Sequence, residues 1–410
     1  MTSYSSYLHK ELERIPFNLF EIISNYAESN HKIKIAFVGG YIRDILINKM
    51  HSTAKYSPID LDIIVEGSAI NLAKYIKKNI SNVGLCLIKE FDIYKTVELN
   101  INDFKIDIAS ARTESYPSPG SNPNVYDSTI IDDLRRRDFS INAMAYEIPS
   151  KKLYDFFDGI SHIKLRELHL LHPNSISDDP SRILRCAKYS SRLDFRISRS
   201  SLIQAQEIIL KWPWHPNIQN NLPPGIGIRM RMELTEILKY DDISKIISEL
   251  DNWGLISIIN EDIKVNDKFL RGLNWIKKLE GKIILYLIKD ANSLEILCQR
   301  LLINSKEKKI LSQYRNTKKI LSSNLNKFLT FSPSSWTEFI ESNNLNEETV
   351  KLIISDGSKF WKPFFRWLFK YRFIKSIKNG EQLKEEGWIQ GEAMGNEIKR
   401  LRYMEIDKHK

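Results

Sequence analysis

Cysteine is scarce in this sequence. Cys86, Cys186 and Cys298 are the whole complement in 410 residues, isolated and odd in number, so neither a disulfide framework nor a cysteine metal site is indicated. A reducing cytoplasm fits that usage. Long apolar runs are also lacking: the most apolar short run, IILYLI at 283–288, is far below the ~18 residues a membrane helix needs, so a soluble protein is expected. The opening MTSYSSYLHKELERIP carries acidic residues and no apolar core, and does not read as a signal peptide. There is no internal repeat and no low-complexity tract. What is present is a hydrophobic content of 42% and a charged content of 27%, globular values that exclude disorder as the main state.

Positive charge is in excess. Lys and Arg number 61 against 51 Asp and Glu, a balance of +10, which favours a phosphate-bearing partner or an anionic surface. A chain of 410 residues is longer than one ordinary core supports, so two or more domains are expected. From about residue 33 to 155, the segments KIAFV, IDLDIIV, LCLIKEF, TVELNI and FKIDIAS are rich in β-branched residues, with helix-like stretches after the first two. This pattern predicts a mixed α/β module with one main sheet. From residue 110, SARTESYPSPGSNPNVYDST is dense in Pro, Ser, Asn and Gly and is expected to be a long loop, functional or mobile. After about residue 175 helical periodicity takes over, interrupted by the Pro-rich WPWHPNIQNNLPPG, and the remainder is expected to be all-helical. Its C-terminal half is basic, and in KFWKPFFRWLFKYRFIKSIK aromatics and cations interleave.

The chemistry-bearing residues start with carboxylates. As a strand, IDLDIIV points Ile59, Leu61 and Ile63 to one face and Asp60 and Asp62 to the other, about 6 to 7 Å apart. Such a pair repels unless a cation lies nearby. A lone D-x-D is ordinarily a solvated strand edge, but in FKIDIAS Asp107 also points away from its apolar neighbours. Three such aspartates on neighbouring strands suit two Mg²⁺ ions for phosphoryl transfer. Gly39 and Gly40 end a buried strand and precede a helix, where glycine lets backbone N–H groups approach phosphate; a tight turn is the plainer alternative. Arg43, on the first helical turn, is placed to reach a triphosphate.

Two further clusters follow. In DLRRRDFSINAMAY, Arg136, Arg137 and Asp138 combine two phosphate-binding cations with an acceptor suited to a ribose hydroxyl, although a helix end with a surface salt bridge has the same composition. In SDDPSRILRCAK, Asp179 before Pro180 reads as a helix N-cap with Pro at the first position. Arg182, Arg185 and Lys188 line one face of that helix with cations. A carboxylate only accepts hydrogen bonds and a guanidinium only donates them. Asp179 and Arg182 therefore match the amino donor and ring-nitrogen acceptor of cytosine and adenine, and mismatch uracil and guanine. His162, His169 and His172 lack a companion ligand pattern and read as ordinary surface or packing histidines.

Taken in order, FVGGYIRD, DLDIIVEG, RRDFSINAMAY and DDPSRILR resemble the bacterial-type (class II) CCA-adding tRNA nucleotidyltransferase and poly(A) polymerase family, over roughly residues 35 to 235. The resemblance implies an α+β fold: a polymerase β-like nucleotidyltransferase head with a mixed sheet, followed by an all-helical neck, body and tail. The implied division is an N-terminal extension (1–30), head (31–158), neck with the base template (159–235), body (236–340) and tail (341–410). By the same resemblance Asp60 and Asp62 bind the catalytic metals, with Asp107 as a third carboxylate, and Gly39, Gly40 and Arg43 contact the incoming nucleotide. Arg137 and Asp138 are the ribose pair, with Asn142 nucleotide-binding in the same segment. Asp179 and Arg182 read the base, with Arg185 and Lys188 near the triphosphate. IGIRMRMEL at 226–234 resembles the segment that opens the helical body, and GEQLKEEGWIQGEAMGNEIKRLR resembles tail helices that hold tRNA. The sequence departs from the family at Asp178, where Glu is usual, at Lys188, where Arg is usual, and in DFFDGISHI, where His162 occupies an Asp position.

The implied reaction is template-independent addition of C, C and A to the tRNA 3′ acceptor end from CTP and ATP, with Mg²⁺. Addition of A alone, addition of CC alone and poly(A) synthesis share the chemistry. The long loop at 110–128 favours a pocket that changes shape between bases, and so A addition. A catalytically dead RNA-binding relative is expected to have lost a metal-binding aspartate, and Asp60 and Asp62 are both intact.

Overall fold

The computed structural model describes residues 2–30, 33–51, 60–80, 86–91, 94–102, 104–211, 223–240 and 242–409. These fall into two compact units, Met1–Met230 and Arg231–Lys410. Most of the Pro-rich break and Ile59 lie outside the described residues.

The first unit opens with helices Thr2–Leu12 (α1) and Leu19–Ser29 (α2), which pack on the sheet-bearing part of the same unit. Then come Ile35–Val38 (β1), Gly39–Met50 (α3), Asp60–Val65 (β2), Ala69–Asn79 (α4), Cys86–Phe91 (β3), Thr96–Ile101 (β4) and Phe104–Ser110 (β5). After these follow Arg112–Ser115 (β6), Asn124–Asp127 (β7), Ile130–Arg135 (α5), Met144–Glu147 (β8) and Lys152–Asp155 (β9). Seven strands form one sheet in the order β3-β4-β5-β2-β1-β8-β9. The β2–β5 pair is parallel and its other pairs are antiparallel.

The five expected strands are all present, and β8 and β9 add to them. The expected loop at 110–128 is instead an antiparallel hairpin, with Arg112 opposite Asp127 and Thr113 opposite Tyr126. Its Pro and Gly residues fall between the strands, which leaves β6 and β7 free to pair. The two faces of the sheet differ. Ala36 and Val38 of β1 share a face with Ile64 of β2, and with Ala111, Ile130, Leu134, Ala143 and Ala145 they form a buried cluster of mostly small residues. Small side chains there let α5 approach closely. Val38 is opposite Asp62, so the apolar face gives way to carboxylate at the end of β1.

Beyond β9 lie Gly159–Leu165 (α6), Ser175–Asp178 (α7), Arg182–Leu193 (α8) and Arg199–Lys211 (α9). Glu167–Leu168 (β10) and Arg196–Ile197 (β11) form a short parallel pair. That pair corrects the expectation that no strand follows residue 175. The divergent segment leading into α6 is tied by hydrogen bonds: the Asp155 carboxylate accepts the Gly159 and Ile160 N–H groups at 2.7 and 2.9 Å, and His162 Nδ1 meets Ser140 Oγ at 2.7 Å.

Every regular element among the described residues of the second unit is helical. The apolar run Ile283–Ile288 is a short, fully buried helix. Among the described residues no helix is long and apolar enough to cross a membrane. Buried Glu307 accepts Arg231 at 3.0 Å and Lys282 at 3.1 Å while completing a capping box with Asn304.

Candidate active site

Alternation along β2 puts Asp60 and Asp62 on one face, and the parallel register sets Asp107 of β5 directly beside Asp62. Asp60 is exposed and the other two are half-buried. Lys105, in register with Asp60, donates to Asp107 Oδ2 at 2.9 Å, so one of the three negative charges is already countered. Burial pushes the Asp62 carboxyl above the ordinary carboxylate range. Arg137 and the Gly40 N–H oppose that shift, and the Asp107 and Asp60 charges reinforce it.

The glycine turn is shaped around this carboxylate. The helix α3 starts at Gly39 rather than after the pair. Gly39 has φ +71°, and a Cβ there would lie 2.3 Å from Asp62 Oδ2 and 3.3 Å from Arg137 Nη1. Both the backbone conformation and the space demand glycine. Arg43 is 2% exposed. Its guanidinium pairs with Asp44 at 2.7 Å, donates to Asn142 Oδ1 at 2.7 Å and lies over the Tyr189 ring at 5.0 Å. It thus sits under the site as a brace.

Asn142 is the hub of that interior network. Its Nδ2 donates to Asp138 Oδ1 at 3.0 Å and its carbonyl accepts Arg137 Nη1 at 3.4 Å. Asp138, 3% exposed, also accepts the Phe139 N–H at 2.8 Å and pairs with Arg185 of α8 at 2.7 Å. Burial works against its charge, yet Arg185, Asn142, Arg182 and the Phe139 N–H together hold its carboxyl below the usual range. Arg137 is half-buried, reaches Asp133 at 3.4 Å, and has a buried Nε with no hydrogen-bond partner. That orphaned donor lies in the side chain flanking Gly39 and Asp62.

Helix α8 meets the head through Arg182, Arg185, Tyr189 and Arg192, spaced by three or four. Arg192 pairs with Asp44 at 2.8 Å, and Lys188 lies over the Tyr189 ring at 5.5 Å. The expected N-cap is shifted: α8 starts at Arg182 behind Ser181, and Asp179 ends α7. The Asp179 side chain still turns the chain into α8, since Oδ1 accepts the Ser181 N–H at 3.1 Å and hydroxyl at 2.7 Å. The same oxygen pairs with Arg229 Nε at 3.2 Å. Arg182, 6% exposed, donates to Ser175 Oγ at 2.6 Å and to the Arg136 carbonyl at 2.8 Å. Burial, with the Arg182 charge adding to it, pushes His172 down to about 4, so that imidazole is neutral at pH 7. Burial raises the Asp178 carboxyl, Arg182 opposes the rise, and Asp179 and Glu114 add to it.

Several residues that organise the site carry no local signature. Asp133, fully buried, takes Arg136 at 2.6 Å, and Glu114 of β6 takes Arg136 at 2.8 Å and Arg112 at 3.0 Å. Arg136 therefore supports structure rather than facing a ligand. Asp44, Tyr189 and Arg229 also organise the site; Asp44 closes FVGGYIRD and Arg229 lies in IGIRMRMEL, segments quoted for their resemblance without a role for either residue.

Among the described residues no group of three His, Cys, Asp or Glu side chains is disposed to hold a metal by itself. The donor set nevertheless fits a hard divalent cation. Mg²⁺ takes one or two carboxylates and completes its shell with water and substrate phosphates, and a cation at Asp60 and Asp62 offsets the burial and the carboxylate repulsion that raise Asp62.

Residues 35–169 match the family described as the poly A polymerase head domain. An A-adding tRNA nucleotidyltransferase of Aquifex aeolicus is 34% identical over 250 residues, 60% of this chain and 28% of that protein. A CC-adding tRNA nucleotidyltransferase of Deinococcus radiodurans is 31% identical over 231 residues, 54% of each. The matched stretch thus spans from about a quarter to about half of these curated relatives. In fold, the apo form II structure of a CCA-adding enzyme superposes with a TM-score of 0.76 at 24% identity, covering 97% of this chain and 94% of that one.

Proposed function

We propose that this chain, a member of the nucleotidyltransferase family by its poly A polymerase head domain at residues 35–169, extends tRNA 3′ ends with C and A from CTP and ATP. The observation that carries this reading is the β2–β5 register, which sets Asp107 beside Asp62, the carboxylate that the Gly39 turn packs against. The 3′-hydroxyl of the RNA attacks the α-phosphate; the new O3′–P bond forms as the bond to pyrophosphate breaks, and the hydroxyl proton passes to solvent.

Asp60 and Asp62 hold the divalent cation, for which Mg²⁺ is the expected ion. When bound, that ion neutralises the triphosphate and makes the hydroxyl more acidic. The chain's own residues do the positioning, the main source of rate in such transfers. The orphaned Arg137 Nε is a donor for a phosphate or sugar oxygen. Asp138, Asn142 and Arg43 hold Arg137 and Arg185 in place from below, and Asp138 engages a ribose hydroxyl by sharing the oxygen it gives Arg185. Gly39 and Gly40 leave room for the nucleotide over the carboxylates, while Arg185 and Lys188 supply charge towards the triphosphate. Asp179 and Arg182, fixed by Ser181, Arg229, Ser175 and the Arg136 carbonyl, present an acceptor and a donor to the base, the pattern that suits C and A. The helical, basic remainder holds the tRNA by shape and phosphate contacts, in a cytoplasmic setting.

Addition of A alone is a second reading, supported by the 34% identity to an A-adding relative. Labelled CTP and ATP, given separately and together to tRNA ending at the discriminator base, after one C and after CC, separate the two. Growth to a complete CCA end that then stops supports the full activity. Extension of CC-ended tRNA alone by one A selects the second reading, and no extension of any substrate refutes both.

A further inference from the structure

In the second unit, helices Asp267–Lys278 and Glu347–Ser355 and the start of Trp361–Phe369 enclose an open cleft of about 330 Å³. Trp275 and Trp361 are two of its walls, with ring centroids 6.3 Å apart and planes inclined by 40°. Trp275 is 40% exposed, an unusual position for so large an apolar surface without an occupant. Ser355 also lines the cleft; it is 2% exposed, and its buried hydroxyl has no hydrogen-bond partner. A buried, unpaired hydroxyl beside two indoles describes a site for a flat ligand with a polar edge.

Charge identifies the ligand class. Lys268, Arg271, Trp275 and Lys278 recur at helical spacing on one face, and Lys268 and Arg271 line the cleft itself. Across from them Lys362 and Arg366 flank Trp361 and Phe365, whose rings are 6.0 Å apart. All five cations are exposed, and among the described residues none of them is ion-paired. Some exposed cations of the same unit have carboxylate partners, as in Lys399–Glu338, Arg400–Glu397 and Lys408–Glu405, each at 2.8 Å; on this face the unpaired ones gather around exposed indole and phenyl rings. A second copy of this chain docking on the same face would bring cations against cations. Exposed aromatic rings rimmed by unpaired cations instead match single-stranded nucleic acid, whose bases stack and whose phosphates pair.

We propose that this cleft is a second nucleotide-binding site, which stacks one unpaired base of the RNA substrate on Trp275 and Trp361. Lys268 and Arg271 bind the adjoining phosphates, and Ser355 takes the edge of the base. The proposal rests on the reading of the chain as an RNA-extending enzyme in one respect, that RNA is the occupant. It adds a site formed wholly by Arg231–Lys410, with no residue of the carboxylate centre.

The test uses the full chain, Trp275→Leu, and a Lys268→Gln/Arg271→Gln double variant whose exposed positions leave the fold undisturbed. Anisotropy with a fluorescein-labelled, short single-stranded RNA gives affinity without catalysis, and steady-state assays give KM for tRNA, KM for ATP and kcat. Loss of one stacked base weakens RNA affinity about 5-fold or more. The expected result is therefore a higher Kd and a parallel rise in KM for tRNA in both variants, with KM for ATP and kcat unchanged. Nucleotide addition with unaltered RNA affinity in both variants overturns the proposal and leaves the catalytic reading standing. Absence of RNA binding by the unaltered chain overturns both. Loss of self-association or of an acidic protein's binding in Trp275→Leu, with RNA affinity intact, assigns the face to a protein and also overturns it.

Discussion

Replacing Asp62 with Asn tests whether the carboxylate cluster is strained in the absence of a cation. The shift of Asp62 is upward, so burial and the charges of Asp107 and Asp60 outweigh Arg137 and the Gly40 N–H. Unit charges about 6 Å apart repel by roughly 1–3 kcal/mol, depending on whether screening is that of water or of a protein surface. Asp62 is half-exposed and Asp107 already faces Lys105, so the lower figure, about 1 kcal/mol, applies. Asp62→Asn is then expected to raise Tm by about 2–4 °C in chelator, for a unit of this size. The sign with pH follows from the raised folded-state value. Protonation favours the folded chain, so the unaltered protein loses stability as pH rises through that value, and the gap to the variant is full at pH 7. The gap closes below about pH 4, where the carboxyl is protonated in both states. Mg²⁺ is expected to raise the Tm of the unaltered chain more than that of the variant. Nucleotide addition falls roughly 100-fold if a charge-assisted contact of about 3 kcal/mol is lost from the transition state. A variant that melts at or below the unaltered chain in chelator, or a gap that persists at low pH, refutes the reasoning.

Three further substitutions probe the supports. Gly39→Ala places a methyl 2.3 Å from Asp62 Oδ2 at φ +71°; about 1–2 kcal/mol of backbone strain lowers Tm modestly, while moving Asp62 abolishes most activity. Asp138→Ala leaves Arg185, Asn142 and the Phe139 N–H without their acceptor and is expected to cost about 3 kcal/mol by chemical denaturation. Because the Asp138 carboxyl is held low, its stabilisation is present above the unfolded value and is lost as pH falls through the folded one, so this variant shows a shallower acid limb. Gly272→Ala brings a methyl within 2.1 Å of Tyr286 Oη and 2.3 Å of the Ser355 carbonyl. Overpacking of that kind costs about 1–3 kcal/mol, read as a lower Tm with the carboxylate centre chemically intact.

What was legible in the sequence follows from periodicity. The strands β1 to β5 are short, β-branched and bounded, and alternation alone assigned Asp60, Asp62 and Asp107 to outward faces. Their convergence needed the parallel β2–β5 pairing, a non-local fact. The strand MAYE is buried at every position, so it shows no alternation to mark it, and the hairpin β6–β7 was hidden because its turn supplied the Pro, Ser and Gly that dominate its composition. Arg43 illustrates a different limit. Its position after the glycines suggested an open phosphate ligand, whereas Asp44, Asn142 and Tyr189 bury it, and two of those partners are distant in sequence. The spacing of Arg182 and Arg185 was informative about their shared face, but which of them turns inward depends on Ser175, Asp138 and the Arg136 carbonyl, contributed by other segments.

The most direct measurement is the fate of the α-phosphate. CC-ended tRNA, Mg²⁺ and ATP labelled at the α- or the γ-phosphate are incubated with the chain and with Asp60→Asn and Asp62→Asn. Nucleotidyl transfer at the carboxylate centre puts α-label into the RNA as a single terminal residue, leaves γ-label in pyrophosphate, and loses both products in the two variants. Transfer of γ-label to any acceptor, or incorporation that survives loss of either aspartate, contradicts it.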